Sequence, residues 1–275
     1  MCTAILSVEP GAPVLLAGIR DELVGRPWEP PGRHWPDHPG LIGGRDLQAG
    51  GTWLAVAPGA RRVATVLNGR GRMAPEGSRR TRGVLPLQAA DDGKLARAGL
   101  ADFDPFHVLC AEPGAAVLWS WDGEQLVERE LGAGLHVVVN SGLASDPDLD
   151  GPGEAVAAST ARDHELARIA CFLPRLRAAA LPHPRSGDPV ARAWGDWLPL
   201  MDGDGLSPGD SRALIVRHDL GDGRVYGTTS VSLVALARDG VRYDFTGRPG
   251  VPGPWYPVDV GEVAGARCSS LPGAP

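Results

Sequence analysis

Glycine and proline, 38 and 26 of 275 residues, punctuate this chain so densely that it must turn often. Turns at that frequency favour many short strands over long helices. The proportion stays just below that of low-complexity chains, and no short period runs through it. Hydrophobic residues at 43% and charged residues at 22% are those of an ordinary globular protein. Disordered, coiled-coil and collagen-like classes are thereby excluded. A prior of ~150 residues per domain would allow two domains, but layered folds of this size are often one. The reading is a single domain over residues 1–275.

Residues 2–8 and 14–19 are short apolar runs on either side of Glu9-Pro10-Gly11 and read as a hairpin. Residues 25–51, with Pro27, Pro30, Pro31, Pro36 and Pro39, read as one long irregular loop of the kind that often carries function. Residues 52–57 and 63–67 make a second strand pair, followed by an arginine-rich loop over 68–83. A helix is expected within 86–100, and residues 106–111, 116–121, 125–130 and 135–140 read as a four-strand meander. Thr160 and Asp163 resemble a capping box ahead of an apolar stripe through Leu166, Ile169, Ala170 and Leu173. Asp188-Pro189 suits the start of another helix. Residues 213–216, 224–228, 230–237 and 241–245 return to strand, with Asp239-Gly240 as a tight turn. Strands, helices, then strands describe an α+β layered fold, not a βαβ parallel sheet.

The net charge of -6 argues against a nucleic-acid partner, since phosphate neutralisation needs a concentrated positive surface. No stretch reaches the ~20 apolar residues of a membrane span, and the first residues lack the pattern of a signal peptide. Cys2, Cys110, Cys171 and Cys268 are widely separated and form no C-x-x-C pair, which fits a reducing cytoplasm. His34 and His38 are four apart, but Pro36 and Pro39 forbid the helix that would align them on a metal. Asp202, Asp204 and Asp210 lack the spacing and terminal Glu of a calcium loop. No metal and no cofactor is expected.

Cys2 is the most informative residue. Removal of Met1 before a small second residue would make it N-terminal, so that nucleophile and base share one residue. Thiol and α-amine both titrate near neutrality, at about 8.5 and 7.7–8.0, and the amine can take the thiol proton directly or through one water. Arg20-Asp21-Glu22 ends the second strand, Arg26-Pro27 follows, and Gly44-Arg45-Asp46 precedes Gly50-Gly51-Thr52-Trp53.

With Met1-Cys2-Thr3, these motifs in this order resemble the NRDE family, also called transport and Golgi organisation protein 2-like. Weaker matches at Asn68 with Arg70, at 138–141 and at Tyr226-Gly227-Thr228 extend the resemblance over nearly the whole chain. The family is in turn similar to N-terminal-nucleophile cysteine hydrolases of non-peptide amides. The resemblance implies a four-layer αββα sandwich of antiparallel sheets. It also implies a catalytic set of Cys2, Arg20, Asp21, Asn68 and Asn140, with Asn140 as oxyanion donor and Asn68 supporting the amine or the oxyanion. Three positions depart from the pattern. Ile19 replaces the Asn of N-R-D-E, Gly69 replaces an aromatic, and Thr229 replaces an Arg whose planar five-donor fork a hydroxyl cannot imitate.

The expected activity is hydrolysis or acyl transfer at a C–N bond of a small-molecule substrate. Arg20 would lower the pKa of the thiol, and Asp21 would orient the amine. Trp28, Trp53, Arg70 and Thr229 are candidate substrate-binding residues. The alternative is a non-catalytic carrier of haem or of lipid and acyl-CoA, and a homo-oligomer is compatible with either reading. Asn68 and Asn140 are the chain's two asparagines, and both are expected beside Cys2.

Overall fold

In a computed structural model, residues 2–144, 156–251, 253 and 255–261 are described, with backbone alone at 156–160. Cys268 and the side chain of Thr160 lie outside the described residues. The strands in chain order are β1 (Thr3–Val8), β2 (Val14–Leu23), β3 (Trp28–Gly32), β4 (Ile42–Asp46), β5 (Leu54–Ala57), β6 (Arg62–Asn68), β7 (Phe106–Glu112), β8 (Ala115–Trp121), β9 (Leu126–Glu130), β10 (Gly134–Val139), β11 (Gly142–Leu143), β12 (Arg217–Asp219), β13 (Val225–Leu236), β14 (Val241–Thr246) and β15 (Tyr256–Pro257). The α-helices are α1 (Leu85–Asp92), α2 (Val156–Ala178), α3 (Val190–Trp194) and α4 (Trp197–Met201).

Two antiparallel sheets result, so the fold is α+β. One runs β11-β10-β1-β2-β13-β14-β15, with β12 paired to β13, and the other runs from β3 to β9 in chain order. One apolar cluster joins the sheets through Leu6, Leu16 and Val138 of the first and Leu54, Val63 and Leu109 of the second. A second joins Ile5, Ala17 and Val139 on the other face of the first sheet to Phe172 of α2, Trp194 of α3 and Trp197 of α4. A third lies under α1, where Leu85 and Ala89 meet Ala64 and Val108. Among the described residues, no helix is long and apolar enough to cross a membrane.

The opening hairpin forms as read, and β2 runs on to Leu23. Residues 25–51 are not one loop, because β3 and β4 lie within them. β3 is the end strand of its sheet, where Pro30 and Pro31 remove no hydrogen bond that a neighbour needs. The meander of four strands is three. β10 leaves it to pair with β1, because its valines are buried on both faces while β9 is largely exposed. α1 stops at Asp92 because Gly93 takes the left-handed conformation.

α2 begins at Val156, so Thr160 lies inside the helix and no capping box starts there. Its buried face also differs from the expected stripe. Leu166 is 44% exposed, whereas Glu165, Arg168, Phe172 and Leu176 face inward. Pro189, not Asp188, caps α3, with no side-chain hydrogen bond. Residues 213–216 are buried but form no strand, their backbone partners including Arg168 Nε at Ala213 O and the Thr228 hydroxyl at Val216 N. Residues 224–228 and 230–237 fuse into β13, with an irregularity between Thr228 and Ser230 absorbing the extra residue.

Candidate functional site

Strand register assembles the site. Thr3 is paired with both Val139 on β10 and Ile19 on β2. Carrying that register on by one residue sets Cys2 between Asn140 and Arg20, and Arg20 is itself paired with Ser230 on β13. Because strand side chains alternate, Cys2, Arg20 and Ser230 face the second sheet, on the same side as Ala4, Leu16 and Val234, while Asn140 opens the two-residue turn from β10 to β11. A row Asn140–Cys2–Arg20–Ser230 therefore runs across one end of the sheet, its first member in the turn after β10.

Cys2 is half-buried, and its Sγ donates to the Asp21 carbonyl at 3.6 Å. Burial pushes the thiol above its ordinary range, and nearby positive charge, Arg20's included, pulls in the other direction. Arg20 is 5% exposed. It donates to Thr229 Oγ1 at 2.8 Å and to Asp46 Oδ2 at 3.4 Å, and its guanidinium lies 4.5 Å from the centre of the Trp53 ring. Burial works against this cation, while the Cys2 thiolate and the carboxylates of Glu22 and Asp46 favour it. Burial would also raise the Asp46 carboxyl. The Arg26 Nε bond at 2.6 Å and the Ala49 and Gln48 amides instead hold it below the usual carboxylate range.

The Gly-Arg-Asp and Gly-Gly-Thr-Trp motifs meet here for steric reasons. A Cβ on Gly44 would stand 2.2 Å from the Trp53 ring, and one on Gly51 would stand 2.4 Å from the Gly83 backbone. Glycine at both positions lets Trp53 lie flat under Arg20. Trp28 packs edge-on against Trp53 at 5.8 Å, so it supports the platform.

Asp21 follows Arg20 and so faces the opposite side, under α2. Its carboxylate accepts from Thr228 Oγ1 at 2.6 Å and from both Arg168 terminal nitrogens at 3.3 Å. Arg168 also donates to Thr3 Oγ1 at 2.8 Å and to Ala213 O at 3.0 Å. One buried arginine thus ties together the residues that follow Cys2 and Arg20. Tyr226 Oη donates to the Asp21 carbonyl at 3.1 Å, and burial pushes its hydroxyl far up, so it stays protonated.

His107, on β7 of the second sheet, closes the Asn140 side. Its Nε2 is 3.3 Å from the Asn140 carbonyl and its Nδ1 is 2.8 Å from Ser120 Oγ. A carbonyl can only accept, so Nε2 carries the proton and Nδ1 accepts from the serine. Burial brings its pKa down to about 4. Next to Asn140, Ser141 Oγ donates to the buried Glu165, which also pairs with Arg70 at 3.6 Å.

Of the residues singled out from sequence, Cys2, Arg20, Trp53, Thr229 and Asn140 come together, with Asp21 beneath and Trp28 behind. Arg70 instead reaches Glu165. Asn68 is exposed at the end of β6, opposite Phe106, which lines the α1 cluster. Strand alternation turns it away from the row. Among the described residues it makes no hydrogen bond to any member of the row. Sequence reading gave Thr228 only as part of the Tyr226-Gly227-Thr228 match, without a role, and missed Arg168, Glu165, His107 and Ser230. Only the three-residue spacing of Glu165 and Arg168, in helical phase with Phe172, was a signal for any of them.

Among the described residues, three polar atoms around the row, Asn140 Oδ1, Ser230 Oγ and Trp53 Nε1, are buried without a hydrogen-bond partner. Such atoms are rare in folded proteins. Among the described residues, no group of three or more His, Cys, Asp or Glu could hold a metal. A family model described as Transport and Golgi organisation 2 matches residues 1–158. No curated protein matches the chain.

Proposed function

The chain belongs to the Transport and Golgi organisation 2 family, whose model covers more than half of it, and we propose that this member is an amidohydrolase or acyl transferase with Cys2 as nucleophile. The observation that carries the reading is the trio of buried atoms without a hydrogen-bond partner among the described residues, one on Asn140 next to Cys2 and two beside Arg20, on Ser230 and Trp53. They offer an acceptor on Asn140 and donors on Ser230 and Trp53 to a polar substrate held against the thiol. A site that leaves such groups for its substrate to satisfy discriminates strongly against apolar ligands.

Removal of Met1 makes the Cys2 amine available as base. The amine takes the thiol proton, and the thiolate attacks the amide carbon to form the C–S bond. Asn140 Nδ2 donates to the oxyanion. The resulting ammonium then protonates the leaving nitrogen as the C–N bond breaks. Water, or an acceptor amine, next attacks the thioester and releases the acyl group and the thiol. Arg20 favours the thiolate electrostatically. Its hydrogen bond to Thr229 keeps the guanidinium in place where the family pattern has a second arginine. The three apolar clusters support the αββα layering and a single domain.

The test combines intact mass with turnover of a panel of N-acyl aminocoumarins. Loss of Met1 and activity that disappears in Cys2→Ala are expected, with Cys2→Ser strongly reduced. Asn140→Ala should lose about 10²–10³ in turnover, the usual effect of deleting an oxyanion donor. Activity that survives Cys2→Ala would end the hydrolase reading. So would saturable haem or acyl-CoA binding by Cys2→Ala together with no turnover by the parent chain, which would establish the carrier.

A further inference from the structure

A cleft of about 480 Å³ opens beside the row, between the turn after β2 and the hairpin of β12 and β13. Its lining includes the guanidinium-bearing residues Arg26, Arg217 and Arg224 with Gln48 and, among the described residues, no carboxylate residue. Leu23, on its wall, lies three residues beyond Arg20 along β2, so at ~3.3 Å per residue the cleft begins about 10 Å from the row. Leu23 is paired with Tyr226, whose hydroxyl reaches the Asp21 carbonyl, so the same two strands form cleft wall and site floor.

The three cations differ in what already holds them. Arg26 is committed to Asp46, the carboxylate it shares with Arg20, and so couples the cleft to the row. Arg224 pairs with Asp222 at 3.0 Å, but both side chains are about 60% exposed and such a pair is easily exchanged for another anion. Arg217 has no ion-pair partner among the described residues. Two available guanidinium forks in a small-molecule-sized cleft suit the paired oxygens of a carboxylate or phosphate.

We propose that this cleft is an anion subsite. It takes the terminal carboxylate or phosphate of a small molecule whose scissile amide lies at Cys2, at least about 10 Å from the near edge of the cleft. The placement of that amide rests on the function proposed above, whereas anion binding in the cleft does not.

The test is calorimetry on full-length Cys2→Ala, which cannot turn over, with inorganic phosphate, glutarate and neutral glutaramide as probes at low salt. Phosphate or glutarate should bind in the millimolar range, the tighter of the two naming the anion, while glutaramide should not. Arg217→Gln should weaken binding about tenfold, and Arg217→Gln with Arg224→Gln should weaken it about a hundredfold. Arg97→Gln, which removes an exposed arginine paired with Glu128 on the second sheet, should change nothing. Equal binding of glutaramide, no binding of either anion, or unchanged affinity in the double variant would overturn the subsite. Turnover by the parent chain is read separately, so failure of the subsite and failure of the Cys2 reading are distinguishable.

Discussion

Replacing Arg168 with methionine tests the anchoring of the site from below. The Asp21 side chain is fully buried and that of Arg168 is 5% exposed, with 3.3 Å between them. Methionine fills much of the same volume without charge. It leaves the Asp21 carboxylate with Thr228 Oγ1 among the partners described above, and it removes the donors to Thr3 Oγ1 and Ala213 O. Breaking one side of a buried ion pair costs about 3–5 kcal/mol, mostly as the desolvation of the partner left behind. Arg168→Met should therefore lose about 3–5 kcal/mol in urea unfolding followed by tryptophan fluorescence. Adding Asp21→Asn removes the buried negative charge and should restore at least half of that loss, giving a large favourable coupling in the double-mutant cycle. A loss below about 1 kcal/mol, or strictly additive single changes, would refute the argument that this pair is a desolvated unit.

Three further outcomes are expected. His107 binds its proton at about 4 in the folded chain against 6.5 in the reference state, so below pH 6.5 the unfolded chain holds more protons. Stability should be full above pH 6.5 and fall by up to about 3 kcal/mol as pH drops toward 4, and urea titrations of His107→Gln should lack that slope. Gly44→Ala pushes a methyl into the Trp53 ring, so a shifted tryptophan emission and at least tenfold lower turnover are expected, and an unchanged spectrum would contradict the platform geometry. Limiting iodoacetamide should label Cys2 well before Cys110, whose thiol is pushed by burial up to about 12, and mass mapping with Cys110 labelled first would remove the case for Cys2.

Turn chemistry and alternation made most strands legible, from the opening hairpin to the tight turn at Asp239-Gly240. Burial on both sides of β10, which sends it to the other sheet, emerges only from long-range packing. Pro30 and Pro31 masked β3 because an end strand tolerates what a central one cannot. At the site, Cys2, Arg20 and Asp21 were visible as adjacent, ordered chemistry. Glu165 and Arg168 were not, because charges on a helix read as a solvated face until a partner strand supplies the counter-charge. Both asparagines were expected beside Cys2, yet only Asn140, in the turn after β10, is set opposite it, while one strand position on β6 decides that Asn68 takes the other face.

That last point gives the charges of β2 a second consequence. Arg20 and Asp21 are neighbours sent to opposite faces, one onto Trp53 and Asp46 and the other onto Arg168. Sliding β2 by one residue would exchange them. Arg20 would meet Arg168, and Asp21 would meet Asp46, each a like-charge encounter in a nearly dry environment. The pair therefore acts as a lock against misalignment, penalising the nearest wrong threading of the central strands while leaving its apolar residues free to vary.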